Sequence, residues 1–228
     1  MSDSGDAAPL LMLGALLMGG LITGLIVAWR LLVRAVDRRR DQRVGELVRW
    51  ARSRGLTVQL RGRPDIARAF GGRPFSGDGL HANPHRVAWL LIPVTLRRLP
   101  VLLFELRIRI YNGHNHVIQA NSVAVVTLPR PVPAMEIMPL RATLRLKAEA
   151  SIEERFYTSY EIRHTDPVFR SRVLTNELMT WLVDTRVAYP EAGLRFERNQ
   201  VLFWKRGGLT AQWADRVLAL LPRLLDTI

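Results

Sequence analysis

The chain has 228 residues, a formal net charge of +13 and no cysteine. The absence of cysteine excludes disulfides, thiolate zinc sites and cysteine nucleophiles, and it agrees with a cytoplasmic domain. Arginine supplies 31 of the 33 basic residues, which is more typical of a GC-rich coding sequence than of selection for nucleic-acid binding.

The first predicted element is a transmembrane helix over residues 9–29, an uncharged stretch that holds ten Leu, Ile or Val residues. As a helix this stretch would reach roughly 30 Å, the thickness of the hydrocarbon core of a bilayer. Residues 1–8 contain no Lys or Arg and therefore lack the basic start of a cleaved secretory signal. We predict an uncleaved, single-pass anchor in the lipid bilayer.

Basic residues follow this stretch closely, and they predict the orientation of the chain. Because Lys and Arg beside a span remain in the cytoplasm, we expect a protein of the cell membrane with an extracytoplasmic tail at 1–8 and a cytoplasmic C-terminus. The residues predicted to lie at the membrane surface are Arg30, Arg34, Arg38, Arg39, Arg40 and Arg43. One interpretation is that they only set the topology, and the alternative is that they also bind anionic lipid headgroups.

Three small residues within the predicted span, Gly20, Gly24 and Ala28, are spaced four apart. Small residues at this spacing allow a second helix to approach closely, as in a homodimer or a complex with another transmembrane helix. The alternative is that glycine is simply common in membrane helices.

Helical periodicity continues beyond the span, and Gly55 supplies a stop, so we predict a basic juxtamembrane helix over 30–55. Residues 56–228 are assigned to one cytoplasmic domain. Its first part predicts a short strand at 57–61 and then a Gly- and Pro-rich loop over 62–84 with one helical turn near 66–70.

The apolar stretch 87–94 raises the question of a second span or of a membrane contact over 87–103. Pro93 and the pair Arg97-Arg98 limit it to about ten residues, which favours a buried strand. Apolar residues at 104–110 then alternate with Glu105, Arg107 and Arg109, which predicts a half-exposed strand.

A hairpin should follow, because Asn112-Gly113 favours a type I′ turn and 117–128 supplies a returning strand. The remaining predicted elements are a short strand at 134–138, a strand at 155–163, a helix that starts at Asp166-Pro167, breaks near Thr175-Asn176 and resumes through Val183, a hairpin of 194–196 with 201–204, and a last helix capped by Thr210 that contains Pro222. Strands and helices come in blocks, so the predicted class is α+β with an antiparallel sheet and helices near the C-terminus.

The segment 155–206 resembles the end of a family of bacterial membrane proteins, a domain of unknown function found especially in high-GC Gram-positive bacteria. Its members pair hydrophobic N-terminal spans with a block of the form F-x-V-x-S-D-D-x-x-x-A-x-x-L-L-T-P-x-x-M-x-x-L. The matching residues here are 160–166, 173–176, Leu178, Met179 and Leu182. The resemblance implies a membrane-tethered cytoplasmic α+β domain and no particular chemistry.

No catalytic, cofactor or metal site is predicted. The spacings of His114 with His116 and of His81 with His85 suit a metal. Neither pair has a carboxylate nearby in the sequence at a spacing typical of a third ligand, so exposed turn histidines are the simpler interpretation. Hydrolase elbows, HExxH helices, Walker loops and dinucleotide loops are all missing. The densest acidic group, which a solvated edge explains, is Glu149, Glu153, Glu154 and Glu161.

A basic face with aromatic side chains is the remaining candidate site. Its members would be Arg97, Arg98, Arg107, Arg109, Arg141, Arg145 and Lys147, with Trp89, Tyr111 and Trp204 as stacking rings. A nucleic-acid groove needs such a mixture, but these rings alternate with apolar neighbours as core aromatics do, which disfavours nucleic acid as a partner.

The leading hypothesis is therefore a single-pass, membrane-anchored accessory or interaction protein without a cofactor and with an unidentified cytoplasmic protein partner. The first alternative is a binder of anionic lipid headgroups or polyphosphates through the juxtamembrane helix and the basic face. The second is an enzyme whose site the motif search does not detect.

Overall fold

The computed structural model describes residues 7–72, 74–75, 85–111, 114–140 and 150–228, and for 7–24, 33, 36, 37 and 116 it describes the backbone alone. The chain divides into two compact units, Met1–Glu46 and Leu47–Ile228. A single helix, α1 (Ala7–Ser53), runs through the first unit into the second. It ends as predicted, because Gly55 adopts a left-handed φ of 67° and the Leu56 N–H donates to the Ala51 carbonyl.

Within the described part of the chain, no helix is both long enough and apolar enough to cross a membrane. The predicted span over 9–29, with Gly20 and Gly24, falls largely on residues 7–24, whose side chains lie outside the described part. The span and the helix contact through Ala28 stay predictions. Among the basic residues predicted at the membrane surface, Arg43 is half-buried and the others, Arg30, Arg34, Arg38, Arg39 and Arg40, are exposed.

The second unit is built on a seven-stranded antiparallel sheet, counted over the residues described, with the strand order β1-β2-β3-β7-β6-β4-β5. The strands are β1 (His85–Leu96), β2 (Leu99–Tyr111), β3 (His116–Thr127), β4 (Met135–Pro139), β5 (Tyr160–His164), β6 (Gly193–Glu197) and β7 (Gln200–Arg206). The remaining helices are α2 (Pro64–Arg68), α3 (Ile152–Tyr157), α4 (Pro167–Val173), α5 (Asn176–Ala188) and α6 (Ala211–Leu225). The predicted α+β class with an antiparallel sheet is confirmed.

Local capping explains why the C-terminal helices start where the sequence predicts. The Asp166 carboxylate accepts from the Val168 and Phe169 N–H groups, and the Thr210 hydroxyl accepts from the Trp213 N–H. Thr175 caps α5 in the same way and so interrupts the helix where a break is predicted.

One predicted strand, 155–163, is confirmed only in its second half, and another, 57–61, is wrong. The segment 152–157 is helical because Ser151 and Glu154 form a capping box, and only Tyr160–His164 is a strand. Residues 57–61 form an isolated bridge from Gln59 to Leu91 instead of a strand.

The sheet buries side chains on both faces. On one face, which we call the core face, Phe104 of β2 packs with Phe70 and Phe75, whose ring centres lie 4.9 Å apart. On the other, which we call the helix face, the Trp181 ring of α5 meets Phe203 edge-on. Phe169 of α4 meets Phe196 of β6 in the same way.

A β-bulge in β1 decides which of its side chains reach each face. Leu90 is fully buried with a φ of 58°, and the pairing with β2 shifts between Trp89 and Ile92. The extra residue lets Ala88 and Leu91 both join the core face. Trp89 and Ile92 then lie on the helix face. The prediction of a strand at 87–94 is confirmed, and Ala88 and residues 90–92 are its buried part.

Candidate functional site

Three polar side chains lie side by side across the helix face: Glu105 on β2, Ser122 on β3 and Lys205 on β7. Ser122 pairs directly with Glu105 on one side and with Lys205 on the other, so the three side chains share a face. Their exposed fractions are 1%, 0% and 3%. We call these residues the polar row. The prediction that Glu105 is on the exposed side of its strand is wrong, because this part of the helix face is covered.

The polar row binds three consecutive residues of the connection between β7 and α6. The Ser122 hydroxyl donates to the Gly207 carbonyl at 3.0 Å, and the Lys205 ammonium donates to the Gly208 carbonyl at 3.2 Å. The Glu105 carboxylate accepts from the Leu209 N–H, also at 3.2 Å. Because Thr210 follows at once and caps α6, the polar row fixes the start of that helix. Its donors and acceptors serve the fold, which disfavours Ser122 as a nucleophile.

Arg107 connects the polar row to the open part of the sheet. Its Nε donates to Glu105 Oε1 at 2.9 Å, and its guanidinium carbon lies 3.6 Å from the centre of the Trp89 ring. An ion pair on one side and an aromatic ring on the other hold the guanidinium in one orientation.

Beyond the polar row, the described side chains on the helix face of β1, β2 and β3 become more exposed. Directly paired residues form two further rows across it, Val87 with Arg107 and Ala120, and then His85 with Arg109 and Ile118. Exposure rises towards the end of the strands, to 66% for Ile118 and 45% for Tyr111. We call this surface the platform, and its principal residues are Trp89, Arg107, Arg109, Tyr111 and Ile118.

The platform is positively charged. Arg109 is exposed and makes no hydrogen bond or ion pair within the described part of the chain. Among the described residues of these rows, Glu105 is the one acidic residue. One of its carboxylate oxygens accepts from Arg107, and the other accepts from the Leu209 N–H. The positive charge of Arg109 is therefore available to an anionic partner.

The structure does not assemble the predicted basic face as one surface. Arg97 and Arg98 form the turn between β1 and β2, at the opposite end of the strands from Arg109. Arg97 donates to the Pro222 carbonyl at 3.0 Å and pairs with Asp226, so it is bound to the end of α6. Trp204 is 5% exposed on the core face and cannot stack on a ligand. Residues 141–147, with Arg141, Arg145 and Lys147, lie outside the described part.

Over the residues described, no three metal-binding side chains come together. His114 is exposed in the connection between β2 and β3, whereas His81, Glu149 and the side chain of His116 lie outside the described part. Asn112 and Gly113 also lie outside it. The predicted hairpin is confirmed, because β2 and β3 pair in antiparallel register up to Tyr111 and His116, and the turn at Asn112-Gly113 stays a prediction.

A second buried polar contact lies away from the platform. The Tyr160 hydroxyl donates to the Leu182 carbonyl at 2.8 Å, and burial raises the pKa of Tyr160 above its usual range, with a smaller opposite effect of Arg186. Arg186 is itself 8% exposed and donates to the Leu140 carbonyl at 2.6 Å. The Tyr160 contact joins β5 to α5, the Arg186 contact joins α5 to the residue after β4, and both stabilise the fold.

The chain matches no protein-family model and no curated protein. The resemblance over 155–206 to a bacterial membrane-protein family stays a prediction. Among solved structures, the fold is similar to the crystal structure of the mycobacterial trehalose monomycolate transport factor A, TtfA, with a TM-score of 0.52 and 16% sequence identity. The similarity covers 81% of this chain and 95% of that chain. At this level of identity it shows a shared fold.

Proposed function

We propose that this chain is a single-pass, membrane-anchored accessory protein whose α+β domain lies in the cytoplasm and acts as an interaction module rather than as an enzyme. The observation that carries the proposal is the exposed apolar surface where the predicted span ends. Leu25, Ile26, Val27 and Trp29 are 62%, 51%, 50% and 67% exposed on α1. Successive residues point to different sides of a helix, so this surface is apolar all round and suits lipid.

The charges around the predicted span support the proposed orientation. Arginines at 30, 34 and 38–40 are exposed on α1, while residues 1–8 contain neither Lys nor Arg. By the positive-inside rule, this asymmetry favours a cytoplasmic location for residues 56–228.

The arrangement of polar groups in the domain supports an accessory role. The polar row consists of buried groups that could carry chemistry, but its hydrogen bonds hold the backbone at 207–209. TtfA is described as a transport factor, and its fold is shared by this chain. We therefore propose an accessory role in transport at the membrane, with a membrane-associated protein as partner.

The anchor is tested by fractionating cells that express the full chain. We expect the protein in the membrane fraction, resistant to high salt and alkaline carbonate and extracted by detergent. Each arginine at the centre of a span costs about 2.5–3.5 kcal/mol, so the double variant Leu17→Arg and Leu21→Arg should become extractable by carbonate. The matched control is Leu17→Ile with Leu21→Ile, which should remain in the membrane. An unaltered chain that stays in solution after the membranes are sedimented would refute the anchor.

The orientation is tested with reporter enzymes fused before Met1 and after Ile228. A reporter that is active only in the cytoplasm should work at Ile228 and fail at Met1. The opposite pattern would refute the cytoplasmic location. Crosslinking in native membranes, followed by purification of the full chain, then identifies the partner. Recovery of the same membrane protein from the anchored chain and not from the double arginine variant would support an accessory role.

A further inference from the structure

We propose that the platform rests on an anionic phospholipid surface, with Arg109 at the lipid phosphates and Ile118 and Tyr111 in the headgroup region. The proposal concerns a surface that neither the predicted juxtamembrane helix nor the predicted anchor includes. It rests on the proposed function in one respect, namely that the anchor keeps the domain beside a bilayer.

Charge complementarity is the first argument. Arg109 is exposed and has no counter-ion in the described part of the chain, and His85 is exposed beside it in the same row. The carboxylate of Glu105 is buried and already binds Arg107 and Leu209. A basic side chain near an anionic leaflet contributes about 1 kcal/mol of attraction, so the exposed charge favours a negatively charged surface.

The uncharged side chains of the platform suit the same surface. Ile118 is 66% exposed in the row of Arg109, and Tyr111 is 45% exposed at the end of β2. Trp89 lies at the other border, stacked under Arg107. Tyrosine and tryptophan are enriched at the level of lipid headgroups because their rings combine an apolar body with a polar group.

The size of the platform favours a membrane over a second protein. Three strands and the segment from Glu105 to Tyr111 cover roughly 10 Å by 20 Å, or about 200 Å². A stable protein interface buries about 800 Å² on each partner, so the platform is too small to hold one alone. A domain that is already tethered needs far less contact energy, because the tether supplies a high effective concentration.

The proposal is tested with fluorescent labels at single cysteines, which the cysteine-free chain allows without further substitution. The full chain carries Ile118→Cys with a polarity-sensitive dye and is reconstituted in vesicles of phosphatidylcholine alone or with phosphatidylglycerol. We expect blue-shifted emission and quenching by spin-labelled lipid only in the vesicles with phosphatidylglycerol. Both signals should decrease at high salt, because salt screens exposed charges.

The matched control is Val117→Cys, because Val117 is the neighbouring residue on the opposite face of β3 and is 47% exposed. A label there should respond much less than one at Ile118. Arg109→Gln in the Ile118→Cys chain should lower the ratio of docked to undocked domain about fivefold, the equivalent of about 1 kcal/mol. An unchanged thermal melting curve shows that this variant is folded.

Three results would overturn the proposal: equal signals with both lipids, equal signals at positions 117 and 118, or signals that depend on protein density instead of lipid charge. The last result would indicate contact with a second copy of the chain. Failure of the anchor is separate, because the labelled protein would then not float with the vesicles. A chain that floats but shows no response at 118 contradicts the platform proposal alone.

Discussion

The helix face of the sheet has two regions that are formed by the same strands and differ in what covers them. Along β2, Val101, Leu103 and Glu105 are at most 2% exposed, whereas Arg109 and Tyr111, further along the same face, are exposed. The polar row lies at the boundary between the two. The polar groups of the polar row bind the backbone and stabilise the fold, whereas the platform exposes Arg109, Tyr111 and Ile118 to solvent.

The largest difference in unfolding free energy between variants of the two regions should appear when the Glu105 carboxylate, at the boundary, is removed. Glu105→Ala leaves Arg107 without its ion pair and the buried Leu209 N–H without an acceptor. Removing one partner of a buried pair costs about 3–5 kcal/mol, and we expect about 3 kcal/mol because Arg107 is partly exposed. Urea unfolding of the full chain in detergent measures this loss.

Two controls sharpen this prediction. Glu105→Gln keeps an oxygen acceptor for the Leu209 N–H and should lose about half as much stability as Glu105→Ala. Arg109 lies four residues beyond Glu105 on the same face, on the platform, and Arg109→Ala should change the free energy of unfolding by less than about 0.5 kcal/mol. Equal losses at Glu105 and Arg109 would contradict the distinction between the two regions.

The pH dependence of stability tests a buried group away from the platform, the Tyr160 hydroxyl on β5. Burial raises the pKa of Tyr160, so the folded state holds its proton more tightly than the unfolded state does. Stability is therefore fully present below the usual tyrosine pKa of about 10 and falls above it, by up to about 1.4 kcal/mol per pH unit.

Tyr160→Phe removes the titrating group and should reduce this alkaline loss. The comparison is between unfolding curves of the two chains from pH 8 to pH 11, in which the ionisable groups that both chains share cancel. Tyr111→Phe is the matched control, because that ring is 45% exposed, and it should keep the alkaline loss of the unaltered chain. Parallel curves for the Tyr160→Phe chain and the unaltered chain would contradict the prediction.

A smaller effect is expected at the centre of the polar row. Ser122→Ala removes the hydroxyl that donates to the Gly207 carbonyl and should cost about 1 kcal/mol in the free energy of unfolding. The matched control is Ala120→Ser on the platform side of the same strand, where a half-exposed hydroxyl reaches water and should change little. A Ser122→Ala chain that unfolds at the same urea concentration as the unaltered chain would show that the polar row does not stabilise the connection.

The sequence predicts those structural features that depend on contacts between residues close together in the chain. Asp166-Pro167 and Thr210 start helices through contacts within one turn, and the alternation at Arg107 and Arg109 predicts a half-exposed strand, on which Arg109 is exposed. At 155–157, two local signals compete, and the capping box of Ser151 and Glu154 prevails over the alternating pattern.

The rest depends on contacts between distant segments. Glu105 continues the alternation of Arg107 and Arg109, but it is buried, and the Leu209 N–H of the connection between β7 and α6 donates to its carboxylate. The polar row requires β3 to pair with β7, a register that no short motif near Ser122 or Lys205 specifies. Trp89 lies beside Arg107 because of the bulge at Leu90. Leu90 has a left-handed backbone conformation, and the sequence gives no sign of it because the position is not occupied by glycine.

The smallest predicted effect concerns the turn that closes the covered end of β1 and β2. Leu96 pairs with Leu99, and Arg97 and Arg98 between them have φ values of 49° and 67°, the geometry of a type I′ turn. A residue with a side chain pays about 1–2 kcal/mol in this conformation, and glycine avoids that cost while losing more chain entropy on folding. Arg98→Gly should therefore raise stability by about 0.5 kcal/mol, or the melting temperature by about 1–2 °C.

Arg97→Gly is the informative counterpart, because Arg97 also donates to the Pro222 carbonyl and pairs with Asp226 at the end of α6. Its gain in backbone conformation is offset by the loss of these contacts, so we expect it to be less stable than Arg98→Gly. Equal gains at both positions would mean that the contacts with α6 contribute nothing. If Arg98→Gly lowers the stability instead, the Arg98 side chain itself stabilises this end of the sheet. The arginines of the covered end would then contribute to the fold, in contrast to Arg109 on the platform.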